Sequence, residues 1–387
     1  MSAQILGVVL SFASVDGQEL ALTVSLSEPS AAVLEWGDKT QTSEESARIL
    51  TFRGLPVPVR EPVRYELRVP GLAPLIETVE PPVLDGKVRA ALYGDNRDGP
   101  GPHAIIVAQM ARAHPSVIVH TGDVVRMMED EEGWDSYLAT TFPLARRVPT
   151  ILALGNHELS SMRQHSSVAR TKILSHVPTA FDAIASELET PRGVFHVRVG
   201  PAVFISLDSN SDFGPGSPQL AFVDRVLTEK GDATLSFIAM HHGPLSAGPH
   251  GGHPSGGALL EMMKKHHVTA VLSGHDHVYQ RTVDDGIVSI VSGGGGAPLY
   301  TRERPMEGVE AFSSTYNWVQ MDLEGPAAKI SAFALEGTLL DQAVIAPVPE
   351  SRPHHGVTAS WLALLAGQLL VLIALARIVV RWGGAVR

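Results

Sequence analysis

The sequence predicts an α+β protein, a small all-β module followed by sheets covered by helices. Three observations carry that reading. Residues from about Ile5 to Pro82 hold short alternating or apolar runs separated by turn signals. From Lys87 such runs alternate with helix-like stretches. After about Val278 they follow one another as in hairpins.

In the first module, Ile5-Leu10, Glu19-Leu26, Ala31-Trp36, Arg48-Phe52 and Arg64-Val69 read as strands. Asp16-Gly17, Glu28-Pro29, Gly37-Asp38 and a turn at Pro56-Pro58 punctuate them. Short strands at this spacing favour a sandwich. The apolar run at the start has no Lys or Arg before it, so it reads as a first strand, not as a leader. Pro81-Pro82 marks the boundary, placing the module over residues 1–83 and the second domain over 86–345.

In the second domain, Val88-Tyr93 is a strand ending in Gly94-Asp95-Asn96-Arg97, and His103-Ala113 has helical periodicity. Val117-His120 ends in Gly122-Asp123, with a helix over Trp134-Ala145. Thr150-Leu154 ends in Gly155-Asn156-His157-Glu158, and residues from about Ser160 to Thr190 read as helical. Val194-Val199 and Ala202-Asp208 form a strand pair, followed by a helix at Pro218-Leu227. Thr234-Met240 ends in His241-His242-Gly243-Pro244. A helix near Ala258-Lys265 leads into Val268-Leu272, which ends in Ser273-Gly274-His275-Asp276-His277. The last strands are Val278-Val283, Ile287-Val291, Tyr316-Leu323, Lys329-Leu335 and Leu339-Ile345.

Composition narrows the function. The formal net charge is -11 and no Lys/Arg cluster lies outside the C-terminus, which disfavours nucleic acid as the main partner. The absence of cysteine rules out disulfides and thiolate ligands. Metal ligands must therefore be carboxylates, amides and imidazoles. Of 17 histidines, eight fall between His241 and His277.

Asp95, Asp123, Asn156-His157, His241 and His275/His277 all stand at strand ends. Ligands of open α/β sheets gather there. On an extended tip, His275 and His277 would face one side, since side chains repeat every second residue. Five such ends could enclose two divalent cations, about 3.5–4 Å apart, with Asp123 bridging. Such a pair clamps an anionic substrate and makes hydroxide near neutral pH, so phosphate esters are the natural substrate class.

The ordered series Gly94-Asp95, Gly122-Asp123, Gly155-Asn156-His157-Glu158, His241 and Gly274-His275-Asp276-His277 resembles the calcineurin-like metallophosphoesterases. The preceding β module and the run His277-Val278-Tyr279-Gln280-Arg281 resemble the purple acid phosphatase branch. The resemblance implies a four-layer α/β/β/α double β-sandwich behind a fibronectin-III-like domain, with a dinuclear site. It implies that Asp95, Asp123 and His277 hold one metal and that Asp123, Asn156, His241 and His275 hold the other. His157 would be the general acid or the group holding a phosphoryl oxygen, and Glu158 would orient it. Fe, Mn, Zn and Co all suit these ligands.

The first block departs from the family. Where the pattern is Asp-x-His, and where the purple enzymes carry a tyrosine three residues after the second Asp, this chain has Arg97 and Arg126. The first metal is one ligand short. Arg97 becomes a candidate for binding phosphate in a forked geometry. His103 is a candidate for the empty position or an anion contact, although a histidine near a helix start is more often structural.

Blander readings apply elsewhere. Asp95 or Asp123 alone would pass as a turn residue or cap. His242 reads as a neighbour that could swap with His241. His266 and His267 read as solvated, Glu129–Glu132 as a helix entry, and Gly293–Gly296 as a turn near the pocket.

Residues 346–356 form a Pro-rich linker. Val357 to Ala376 then run without a charge, long enough at about 1.5 Å per residue to cross a bilayer core. Trp361 and Trp382 flank the run, and Arg377, Arg381 and Arg387 follow it. A transmembrane helix over 357–380 is expected, with the catalytic domain outside the cytoplasm by the positive-inside bias. The functional expectation is a membrane-anchored, metal-dependent phosphoesterase acting on mono- or diesters. The alternative is a catalytically weak phosphate-ligand binding or sensor module on the same fold.

Overall fold

Strand alternation sorts the side chains of the second domain onto two faces of each sheet. The computed structural model describes residues 3–127, 130–158 and 193–347. The first module contributes β1 (Ile5–Phe12), β2 (Glu19–Ser30), β3 (Val33–Trp36), β4 (Lys39–Thr42), β5 (Ala47–Pro56), β6 (Val63–Arg68) and β7 (Leu75–Val79). Then come β8 (Lys87–Tyr93), α1 (Pro100–Arg112), β9 (Val117–His120), α2 (Glu131–Ala145) and β10 (Thr150–Leu152). The next stretch holds β11 (Phe195–Val199), β12 (Ala202–Ser206), α3 (Pro218–Thr228), β13 (Leu235–Ala239), α4 (Gly256–His266) and β14 (Ala270–Ser273). The remaining strands are β15 (Tyr279–Asp284), β16 (Ile287–Ser292), β17 (Val309–Ser313), β18 (Asn317–Glu324), β19 (Ala327–Ala334) and β20 (Leu339–Ile345).

A nine-stranded sheet runs β20-β19-β18-β8-β9-β10-β1-β2-β5, and a seven-stranded sheet runs β11-β12-β13-β14-β16-β15-β17. On β8, Val88, Ala90 and Leu92 point into the core shared with Ala202 and Phe204 of β12 and Leu235, Phe237 and Ala239 of β13. The opposite faces carry the helices. Ala91 and Tyr93 pack against Ile106, Val107 and Met110 of α1. Val203, Ile205 and Ile238 pack against Phe222 and Val226 of α3 and Leu259 and Met263 of α4. Two such sheets with apolar contacts on both faces give the four-layer α/β/β/α arrangement.

The first module also has two sheets, the second being β4-β3-β6-β7. Trp36 and Tyr65 stack at 5.5 Å in its core, and Trp36 Nε1 donates to the Pro56 carbonyl. This sandwich is not closed off, however. β1 pairs in parallel with β10 at Ser11 and Thr150, so β1, β2 and β5 extend the catalytic sheet. Tyr65 Oη donates to the carbonyl of Arg146 at the end of α2. The boundary expected at 83–86 is thus a change in the chain, while the sheet crosses it, and residues 1–348 form one unit. Local patterning could not disclose a pairing between segments so far apart.

The entry to α2 is as expected, with Asp130 capping it through Gly133 N. His266 is not merely solvated, since its Nε2 lies 2.6 Å from Asp224 Oδ1, and His267 ends α4 in the left-handed region. Among the described residues no helix is long and apolar enough to cross a membrane. The helical stretch expected near 160–190, most of the 346–356 linker and the 357–380 span lie outside those residues.

Candidate metal centre

The chain turns sharply at three of the strand ends that carry chemistry. Asp95 and Asp123 have φ of 58° and His275 of 68°, all left-handed. Strain of this kind persists only where neighbours over-determine it. Here the glycines let the loops interlock. A Cβ on Gly155 would lie 2.1 Å from Asp123 Oδ1, and one on Gly274 would lie 2.2 Å from Asp95 Oδ2. Asp95 in turn accepts from the His275 backbone N–H at 3.1 Å.

Because His275 is left-handed, the tip of β14 is not extended, contrary to the expectation of two rings on one face. Asp276 N bonds back to Gly274 O and Val278 N to Asp276 O. The two imidazoles consequently join different clusters. His277 meets Asp95 and Asp123, and His275 meets His241 and His242. This partition is the one implied by the family resemblance, reached by a different backbone path.

In the second cluster, His241 Nδ1 donates to the Thr121 carbonyl at 2.8 Å. That fixes Nε2 as a lone pair. It faces Asn156 Oδ1 at 3.0 Å and Asp123 Oδ1 at 3.4 Å. Three lone pairs converge with no proton among them, an arrangement that suits a cation. Burial holds His241 and His275 well below the usual imidazole range, and the neighbouring histidines push the same way. Neutral imidazoles are the metal-binding form. His242 comes closer than expected. Its ring lies 4.2 Å from that of His275, its Nδ1 bonds Ser209 Oγ, and it can complete the ligand set.

The first cluster is different. His277 Nδ1 donates to the Pro298 carbonyl at 2.6 Å, leaving Nε2 3.6 Å from Asp95 Oδ1. Burial and the nearby Asp123 carboxylate raise Asp95 well above the ordinary range. A cation is wanted here too, but one is already present. Arg97 places Nε 3.2 Å from Asp123 Oδ2 and Nη2 3.5 Å from His277 Nε2, while Nη1 donates to Asp98 Oδ2 at 2.8 Å. The expected role of Arg97, a fork reaching for phosphate, does not match this placement. Its donors face the metal-type side chains. Arg126 lies on the surface, its Nε 3.0 Å from Asp98 Oδ1.

His157 sits at the rim, 28 % exposed, with Nδ1 2.5 Å from the Arg126 carbonyl and Nε2 3.8 Å from Asp123 Oδ2. Two expectations fail. Glu158 does not orient His157. Its fully buried carboxylate accepts from the backbone N–H groups of Asp123, Val124 and Gly155. It ties the Asp123 turn to the Gly155 turn, and burial followed by Asp123 lifts its pKa to about 7. His103 joins neither ligand cluster. It is 2 % exposed on the inner face of α1, stacked between Tyr93 and Tyr137, and burial lowers it to about 3.

Sequence reasoning missed two supporting residues. His120 Nε2 meets Asn96 Oδ1 at 2.7 Å and Nδ1 accepts from Gly122 N, bracing both Asp loops from below. Its position directly before Thr121-Gly122-Asp123 was the available signal. Asp276 is buried between His275 and His277 in the chain. It takes His250 Nδ1 at 2.7 Å and the Ser246 hydroxyl, and so sets His250 against His275 with rings 4.2 Å apart. The Gly293–Gly296 turn backs the site, as its reading as a turn near the pocket anticipated, with Gly295 N donating to Gly94 O.

Residues 103–279 match the family model described as calcineurin-like phosphoesterase. Among solved structures, the chain is similar to purple acid phosphatase PPD1 from yellow lupin (Lupinus luteus) seeds. That likeness has a TM-score of 0.72 and 15% identity, and it covers 89% of this chain and 74% of that one. It is also similar to PhoD, with a TM-score of 0.65, 12% identity and 88% of each chain covered. At such identities both likenesses concern the fold. The matched segment contains Asp123, Asn156, His157, His241, His275 and His277, so the likeness to calcineurin-like phosphoesterases falls on the residues that build the site.

Proposed function

We propose that the protein hydrolyses phosphate mono- or diesters at a metal centre built around Asp123, with two sites of unequal strength. The observation that carries the reading is the convergence of the His241, Asn156 and Asp123 lone pairs, with His275 and His242 alongside. Divalent ions held there would supply positive charge for the phosphoryl oxygens and acidify the attacking water. Asp95, Asp123 and His277 form the second half of the ligand set.

The chain's own contribution to proton transfer is His157. Its Nδ1–H is committed to the Arg126 carbonyl, so Nε2, on the side of Asp123, is the atom that can take up and give back a proton. A proton held there can be given to the leaving oxygen, or can hold a phosphoryl oxygen by a hydrogen bond. A sensor that had lost its chemistry would have no use for such an imidazole, which favours the enzyme over the binding module. Replacing His157 by Ala should leave bound metal unchanged and slow turnover of an aryl phosphate by about 10²–10⁴. Full turnover in that variant would overturn the assignment.

We also propose that residues 357–380 tether the chain to a membrane with the catalytic domain outside the cytoplasm. The support is the uncharged run 357–376 and the arginines after it. Release of the protein from membranes by an alkaline wash would count against the tether, and protease protection in spheroplasts against the orientation.

A further inference from the structure

The two positions where this chain departs from the family pattern are joined to one another. Arg126 Nε binds Asp98 Oδ1, Asp98 Oδ2 binds Arg97 Nη1, and Arg97 Nε binds Asp123 Oδ2. The Arg97 backbone is fixed as well, its N–H bonding Asp123 O at 3.3 Å, and its side chain is only 13 % exposed. The guanidinium therefore lies within the first cluster. Two of its nitrogens face Asp123 Oδ2 and His277 Nε2, lone pairs that a first metal ion would need. A guanidinium cannot give up its proton to make room.

We propose that Arg97 is the resident cation of the first site, so that the protein holds one divalent ion tightly, in the Asp123, Asn156, His241 and His275 cluster. This rests on the metal-dependent reading above and sharpens it. The guanidinium offsets the two buried carboxylates as a metal would, and it blocks the ligand atoms while doing so. A second ion enters only by displacing it from Asp123 and Asp98, against the repulsion of a fixed positive charge. Arg97 is in this sense a built-in competitor of the metal, with Asp98 and Arg126 as its brace.

Titration of the chelated full-length protein with Mn(II), read by metal analysis and by electron paramagnetic resonance, tests this. The wild type should take up one tight equivalent and give the six-line signal of an isolated Mn(II). Further binding should need at least about tenfold more free metal. Arg97→His, which offers an imidazole in place of the guanidinium, should take up two equivalents and give an exchange-coupled spectrum. Arg97→Gln, which removes the charge without adding a good ligand, should bring the second affinity closer to the first. Two equally tight equivalents in the wild type would overturn the inference while leaving the phosphoesterase reading in place. So would folded Arg97→His and Arg97→Gln proteins that stay at one equivalent. No Mn(II) bound by any folded variant would overturn both.

Discussion

The two halves of the metal centre share Asp123 and little else. The half built on His241, His242 and His275 is neutral, imidazole-rich and open to a cation. The half built on Asp95 and His277 is carboxylate-rich and already contains a guanidinium. Equal topological positions therefore do not make equal sites. The occupant is decided by charge compensation, and in the first half that charge is supplied by the chain.

The largest effect should come from the shared residue. Asp123→Ala removes the carboxylate facing both halves and should abolish tight metal binding along with activity, read by metal analysis and aryl phosphate turnover. A variant still holding one tight ion would mean that the halves are more independent than Asp123 suggests. His157→Ala ranks next, because it touches neither half through a ligand and should leave metal content intact.

The smallest effect is thermodynamic and sets buried imidazoles against buried carboxylates. Burial lowers His242 and His277 to about 4, and His103 and His120 to about 3, from an ordinary 6.5. These imidazoles stay neutral in the folded chain while the unfolded chain takes up protons. Their contribution is fully present above pH 6.5 and is lost as pH falls towards 4 and then 3. Asp95 and Glu158 are raised by burial, so they act in the opposite sense, Glu158 losing stability as pH rises from the carboxylate range to about 7 and Asp95 changing in the same direction. The histidines are more numerous and should win. The melting temperature of the chelated protein should drop as pH is lowered from 6.5 towards 4. A rise over that range would show that the buried carboxylates dominate.

Much of this centre was legible in the sequence. Asp95, Asp123, Asn156, His241, His275 and His277 each stand at or just after a buried strand end, most of them behind a glycine, and a local pattern of that kind survives folding. What was not legible depends on contacts between distant segments. Glu158 follows His157 in the chain, yet its partners are the backbone amides of Asp123, Val124 and Gly155. His103 begins a helix next to the site loop, but Tyr93 and Tyr137 draw it into the core. The left-handed backbone of His275 also escaped, since histidine at positive φ is uncommon enough that no spacing rule anticipates it.

The parallel pairing of β1 with β10 bears on how this protein can be handled. A catalytic fragment cut at residue 86 would keep β10 but lose the neighbour on its open side. It would present a bare row of amides and carbonyls next to the Asp123 and Asn156 loops. Bare edges of this sort recruit other chains. The amino-terminal module is then better regarded as a solubility cap on the catalytic sheet than as a detachable accessory, and its removal would first be noticed as precipitation in the tube.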